Sequence, residues 1–260
     1  MAFEKILFAI EDGLATLTLN KPDVLNAVCP ATMEEMAAAL AETAKPGSGA
    51  RVLLLTGAGR GFCSGADLAS GGGGPRDPLA LLERYYHPVV LAIMNLDIPV
   101  VTGVNGVAAG AGMSLALLGD LVLAAEGASF LQAFRRIGYV PDAGSTWLLP
   151  RLVGRARALE LSLLGEKLSA RKALEWGLVT RVLPDEGFPD AAKAFARDIA
   201  NGPSVALGLT RRLYWQSETS SLEAQLSAEA RAQSRCSRTH DNREGIKAFL
   251  EKRPAKFEGR

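Results

Sequence analysis

Histidine is almost absent from this chain: His87 and His240 are the two in 260 residues, too few and too far apart to read as a metal-ligand set. Cysteine is equally sparse. Cys29, Cys63 and Cys236 are odd in number and lack metal or redox spacing, which points away from a disulfide framework and fits reduced thiols in a cytoplasmic protein. An excess of either charge is missing too, with 29 Lys and Arg against 28 Asp and Glu. A net charge of +1 leaves no global field for nucleic acid or an anionic membrane, so an anionic ligand must be held locally. The N-terminal MAFEKILFAIED interleaves charged and apolar residues and carries no signal-peptide pattern. One uncharged run, residues 98–119, has the length of a membrane span. Pro99, Asn105 and the glycines at 103, 106, 110 and 112, preceded by Val100, Val101 and Thr102, instead divide it into strand, turn and helix.

What the chain does contain is enough apolar sequence for a sizeable core, as one large domain or one domain with an appendage. Residues 3–10 and 14–19 alternate apolar and polar positions about Glu11-Asp12-Gly13 and predict an antiparallel hairpin. Residues 31–44, rich in Ala, Met and Glu, predict a helix. A strand over 51–56 then runs into a glycine turn, and a helix follows over 79–95. The same order recurs as a strand over 99–104, a second glycine turn, a helix over 113–118 and a strand over 121–125. This repetition predicts an α/β core with its site at the strand ends. Residues 71–78, GGGGPRDP, have almost nothing to bury and read as a mobile surface loop. Past Arg155 the pattern is helical apart from a short strand near 178–183. Helices near 190–201, 204–216, 221–235 and 242–251 then divide the chain into a core over 1–200 and a helical region over 201–260.

The two glycine turns carry the chemistry. Residues 51–68, RVLLLTGAGRGFCSGADL, and 104–115, VNGVAAGAGMSL, each bring main-chain N–H groups to a place where bulky side chains would obstruct a ligand. Two such turns, each leading into a helix, can aim two amide donors at one carbonyl oxygen and so form an oxyanion hole. Glycine content by itself reads first as a pair of tight turns. Gly61-Phe62-Cys63-Ser64-Gly65 also has the G-x-nucleophile-x-G form of a hydrolase elbow, with Cys63 as nucleophile and His240 as the late histidine.

NKPDVLNAV at 20–28, GRGFCSGADL at 59–68, VNGVAAGAG at 104–112 and GIKAFLEKRPAKF at 245–257 together resemble the crotonase, or enoyl-CoA hydratase/isomerase, superfamily. The resemblance runs nearly end to end, and residues 130–161 look most like its ring 1,2-epoxyphenylacetyl-CoA isomerase branch. It implies a crotonase-like α/β spiral of β-β-α units with a helical C-terminal trimerisation region, assembled as a homotrimer or a dimer of trimers. The implied substrate is an acyl-CoA thioester, with no metal, no redox cofactor, and CoA present only within the substrate. By the same resemblance the N–H groups of Ala66 and Ala111 are the two oxyanion donors. Leu25, Ala27, Gly65, Asp67, Leu68, Gly110, Ser114 and Phe134 are expected along the substrate. Lys21, Arg60, Lys252, Arg253 and Lys256 are the cations open to the CoA phosphates.

Hydratases of the superfamily carry one glutamate two residues beyond the GxG and another about twenty residues later. Ser114 and Phe134 stand there in this chain, and neither can act as a carboxylate acid or base. Isomerases carry an acid where this chain has Asp142, in Val140-Pro141-Asp142-Ala143-Gly144. Tyr139, Val140, Pro141 and Trp147 hydrate poorly, so the carboxyl is expected above its ordinary pKa. Without the resemblance, an Asp ahead of a helix reads first as an N-cap. The expectation is therefore an acyl-CoA isomerase acting on ring-epoxide or enoyl thioesters, with Asp142 catalytic. An enoyl-CoA hydratase, a cysteine hydrolase and an idle acyl-CoA-binding protein are the alternatives. Asp67 is expected to hold its turn, Asp120 to cap or sit in a buried pair, and Glu126 to be solvated.

Overall fold

The structure, a computed structural model, describes residues 3–68 and 77–260. Strand β1 (Ile6–Glu11) returns as β2 (Leu14–Leu19) in the hairpin that the alternation predicts, with Ile6 opposite Leu19. A 3-10 turn, Pro22–Val24, leads to α1 (Pro30–Ala44), whose Met33, Met36, Ala39 and Leu40 recur at helical spacing and are buried. Next come β3 (Val52–Gly57) and β4 (Gly61–Cys63). Helix α2 (Pro78–Leu81), a π-helical turn Leu82–Tyr86 and α3 (His87–Met94) together make the helix expected over 79–95. The segment expected to form a surface loop, residues 71–78, lies outside the described residues as far as 76, and Pro78 already opens α2.

The chain continues through β5 (Val100–Val104), β6 (Val107–Ala109), α4 (Ala111–Ala116), β7 (Leu121–Ala125) and β8 (Ser129–Leu131). A 3-10 stretch, Ala133–Ile137, precedes α5 (Ser145–Val153) and α6 (Arg155–Leu164). Then follow β9 (Lys167–Ser169), α7 (Ala170–Glu175), β10 (Arg181–Leu183) and α8 (Phe188–Ala200). The helices α9 (Ser204–Ser217), α10 (Leu222–Cys236) and α11 (His240–Leu250) complete the order.

The strands sort into two sheets, β1-β2-β3-β5-β7-β10 and β4-β6-β8-β9. Each repeat sends its longer strand to the first sheet and its three-residue successor to the second: β3 then β4, β5 then β6, β7 then β8. A helix follows each pair, which makes the chain a spiral of β-β-α units. From β2 to β10 the large sheet is parallel. Parallel strands covered on both faces need unbroken apolar runs; Val52–Leu55 and all of β5 are buried. Helix α8 lies against β2, β3 and β5 through Phe188, Ala192, Ala196 and Ala200, one residue per turn.

The second sheet was not legible, because three-residue strands are too short to display an alternation and two of them border the glycine turns. Among the described residues no helix is long and apolar enough to cross a membrane.

Candidate active site

Asn26 ties the first loop together. Its backbone sits in the left-handed region at φ +57° and its side chain is buried. Its Oδ1 accepts from the Lys21 N–H at 2.8 Å, and its Nδ2 donates to the carbonyls of Ala58 at 2.9 Å and Gly61 at 2.7 Å. One step along, the Ser64 N–H donates to the Leu25 carbonyl at 2.9 Å. Val28 then pairs with Ala66 as a parallel bridge: the Val28 N–H donates to Gly65 O at 2.8 Å, and the Asp67 N–H to Val28 O at 2.9 Å. This pairing uses the main chain on either side of Ala66. The Ala66 N–H itself has no acceptor among the described residues.

The bridge corrects one expectation: the described residues after the first turn continue as a bridge and a bend, with no helix through Leu68. Gly65 is required here, since its φ is +102° and a Cβ would lie 2.8 Å from the Ala109 carbonyl oxygen.

Ala111 supplies the second free donor. It is the first residue of α4, two residues earlier than the helix read from the sequence, and a helix leaves its first N–H groups without internal partners. Its N–H has no acceptor among the described residues. Gly112 behind it admits no side chain, because a Cβ there would overlap the Cys63 carbonyl. A methyl built on Gly65 would lie 3.7 Å from the Ala111 nitrogen, so the two loops abut.

Both loops line a cavity of about 430 Å³. Gly65, Ala66, Leu68, Gly110 and Ala111 form one wall; Leu81, Leu82 and Tyr86 come from the interrupted helix; Phe134, Ile137, Tyr139, Val140 and Asp142 close it. Asp142 is the one carboxylate among the described lining residues. It is not a helix cap: the N-cap of α5 is Gly144, with no side-chain cap bond. Its Oδ1 is buried and accepts no hydrogen bond. Burial pushes the carboxyl from 3.8 up to about 6, with the His87 charge pulling the other way. This is the range in which a carboxyl exchanges protons readily near neutral pH.

Other expected residues fall elsewhere. Ser114 does not line the cavity; it is fully buried behind it, and its Oγ donates to the Asp142 carbonyl at 2.9 Å. Leu25 accepts from the Ser64 N–H and Ala27 donates to the Val24 carbonyl at 3.1 Å within the adjoining loop; neither lines the cavity. Asp67 accepts from Lys21 Nζ at 2.9 Å, which also engages the first of the candidate phosphate cations. Arg253 is held by Glu244 and Glu251, while Arg60, Lys252 and Lys256 are exposed. Asp120 does sit in a largely buried pair, with Arg211, and Glu126 is exposed. Cys63 is fully buried, and burial pushes its thiol to about 12, the reverse of an activated nucleophile. With no helix following it through Leu68 among the described residues and its thiol deactivated, Cys63 does not support the cysteine-hydrolase alternative.

Tyr86 was missed. Its phenol is 3% exposed, borders the cavity, and is pushed up first by burial and then by the Asp142 charge. A tyrosine doublet in an apolar helix reads as core, and only the π-helical turn sets Tyr86 at the cavity wall.

Two sheets wound from β-β-α repeats, with two glycine turns bordering one apolar cavity, define a protein of the crotonase fold. The chain belongs to the enoyl-CoA hydratase/isomerase family, whose pattern matches residues 9–260. It is 47% identical over 264 residues to a 1,2-epoxyphenylacetyl-CoA isomerase of Escherichia coli K12, covering 99% of each chain. It is 44% identical over 260 residues to a protein of Rhodobacter capsulatus named as a probable enoyl-CoA hydratase, covering 100% of both. Among solved structures it superposes with a TM-score of 0.92 on an enoyl-CoA hydratase from Bacillus anthracis, at 31% identity, covering 99% of this chain and 100% of that one.

Proposed function

We propose that the chain is an acyl-CoA isomerase. In this reading the Ala66 and Ala111 N–H groups hold the thioester oxygen and Asp142 carries a proton from one carbon of the acyl group to another. One observation carries the reading: the cavity that both loops line has Asp142 as its one carboxylate among the described residues, with Oδ1 unpartnered. A C–H beside a thioester carbonyl becomes removable when pre-set donors meet the charge that develops on oxygen; each such donor is worth roughly 3 kcal/mol of barrier.

With a 3-enoyl thioester, Asp142 takes the proton from the carbon between the carbonyl and the double bond. The electron pair moves onto the thioester oxygen as a dienolate, and the protonated Asp142 returns a proton to the far end of the allylic system. No atom is gained or lost. The same parts would serve the opening of an epoxide on a dearomatised ring, the substrate class named for the Escherichia coli relative. CoA enters as part of the substrate. The exposed Leu222, Leu226, Phe249 and Leu250 of α10 and α11 support packing of the helical region between subunits, as a trimer or a dimer of trimers.

Hydration is the second reading, favoured by the name of the Rhodobacter capsulatus relative. It lacks the paired carboxylates by which hydratases of the family activate and protonate, since Ser114 and Phe134 occupy those positions. The test is product identity. The purified protein is offered 3-enoyl-CoA, 2-enoyl-CoA and a ring-epoxide thioester, and the products are weighed by mass spectrometry. Isomers of unchanged mass are expected; turnover confined to products heavier by one water would contradict the proposal.

A further inference from the structure

The carboxylate of Asp142 and its own backbone are held in opposite ways. Oδ1 is buried and accepts nothing, while the carbonyl of the same residue accepts from Ser114 Oγ at 2.9 Å and from the Ser145 N–H at 3.0 Å. Ser145 is anchored in turn, because Gln132 Nε2 donates to its Oγ at 2.7 Å from a fully buried position beside β8. Between these anchors Ala143 is forced to φ +49°, a left-handed conformation costly for alanine that persists only where its surroundings over-determine it. Ser114 lies one helical turn beyond Ala111 on α4, so one buried hydroxyl links the helix that presents the Ala111 N–H to the loop that presents Asp142.

We propose that Ser114 is a positioning residue, a strap that fixes the separation between the Ala111 donor and the Asp142 carboxylate. The proposal rests on the reading of Asp142 as proton carrier. The position at which hydratases of the family carry an acid here serves the geometry of the base. Proton transfer requires reacting atoms about 3–3.5 Å apart and aligned, and a displacement of about 1 Å can cost about a hundredfold. A hydroxyl held at 0% exposure to a main-chain carbonyl resists such a displacement. The charged and titratable groups around the carboxyl among the described residues are Tyr86 and His87 on the interrupted helix, with Arg136 and Tyr139 elsewhere on the cavity lining, and the hydroxyl bonds to none of them.

The experiment compares Ser114→Ala and Ser114→Cys with the wild type in an isomerase assay over a pH series, with Asp142→Asn as reference and binding of a saturated acyl-CoA as the fold control. Ser114→Ala is expected to lower kcat about ten- to a hundredfold with KM within a few fold. The acid limb of its kcat/KM profile is expected to move below the wild-type midpoint as water reaches the loosened carboxylate. Ser114→Cys, near in size but a weak donor, is expected between the two, and it carries the test by itself should the alanine variant fail to bind. Wild-type kcat and an unmoved acid limb in both serine variants, with Asp142→Asn inactive, would overturn the strap and leave the isomerase reading standing. Full activity of Asp142→Asn would overturn that reading, and the strap with it.

Discussion

At the scale of single residues, Asp142 shows what a buried carboxyl costs the fold. Its pKa stands at about 6 against an ordinary 3.8, because burial penalises the charged form. Between those values the folded chain keeps a proton that the unfolded chain releases, so stability falls as pH rises from about 4 to about 6 and stays lower above. Asp142→Asn removes the charge. The variant is expected to be more stable than wild type by about 1–3 kcal/mol at about pH 8, the lower figure reflecting solvent access to a half-buried group, and no more stable at about pH 4. Melting temperatures at the two pH values check this; a variant no more stable at the higher pH would contradict it. Asp142, Ala66 and Ala111 were picked out by the motifs that carry them, and they line one cavity. Asn26, Gln132 and Tyr86 were not. An Asn in a loop reads as a turn former, a lone Gln as surface and a Tyr in an apolar helix as core, and only tertiary contacts distinguish these uses.

At the scale of elements, legibility followed length. The hairpin, α1, β3, β5 and the helices after α8 all span enough residues to show a period or an unbroken apolar run. Strands β4, β6, β8 and β9 have three residues each and left no trace; β10, equally short, was expected near 178–183 as a short strand in an otherwise helical pattern. The joint between α9 and the core was equally silent, since Ser204, Arg211, Arg212 and Trp215 meet partners distant in sequence, Arg211 making the most of these bonds. Arg211 Nε donates to Asp120 Oδ2 at 2.6 Å, Nη1 to the carbonyls of Met94 and Leu96, and Nη2 to that of Ile93, closing the end of α3. Arg211→Met leaves the Asp120 carboxylate, only 20% exposed, without its cation, with the Val100 N–H and Trp215 Nε1 as its remaining donors, and leaves the carbonyls of Met94, Leu96 and Ile93 without this donor. Urea unfolding is expected to show a loss of about 3–5 kcal/mol. A loss below about 1 kcal/mol, the value of an exposed pair, would contradict this role.

At the scale of the whole molecule, the site is a product of the winding. Successive β-β-α units place one glycine turn after β4 and the next after β6, neighbours in the small sheet, so loops more than forty residues apart in sequence abut at Gly65 and Ala111. The following unit, after β8, brings the Asp142 loop against the same cavity. The repeat of strand, turn and helix was visible in the sequence, and the meeting of its turns was expected from the resemblance; the parallel pairing of the small sheet that brings them together was not visible. One acidic group is proposed to move hydrogen in that cavity, and the turnover of Asp142→Asn measures this most directly. The variant is expected to bind an acyl-CoA within a few fold of wild type and to lose about two to four orders of magnitude in isomerase kcat. Retention of wild-type turnover would contradict the account.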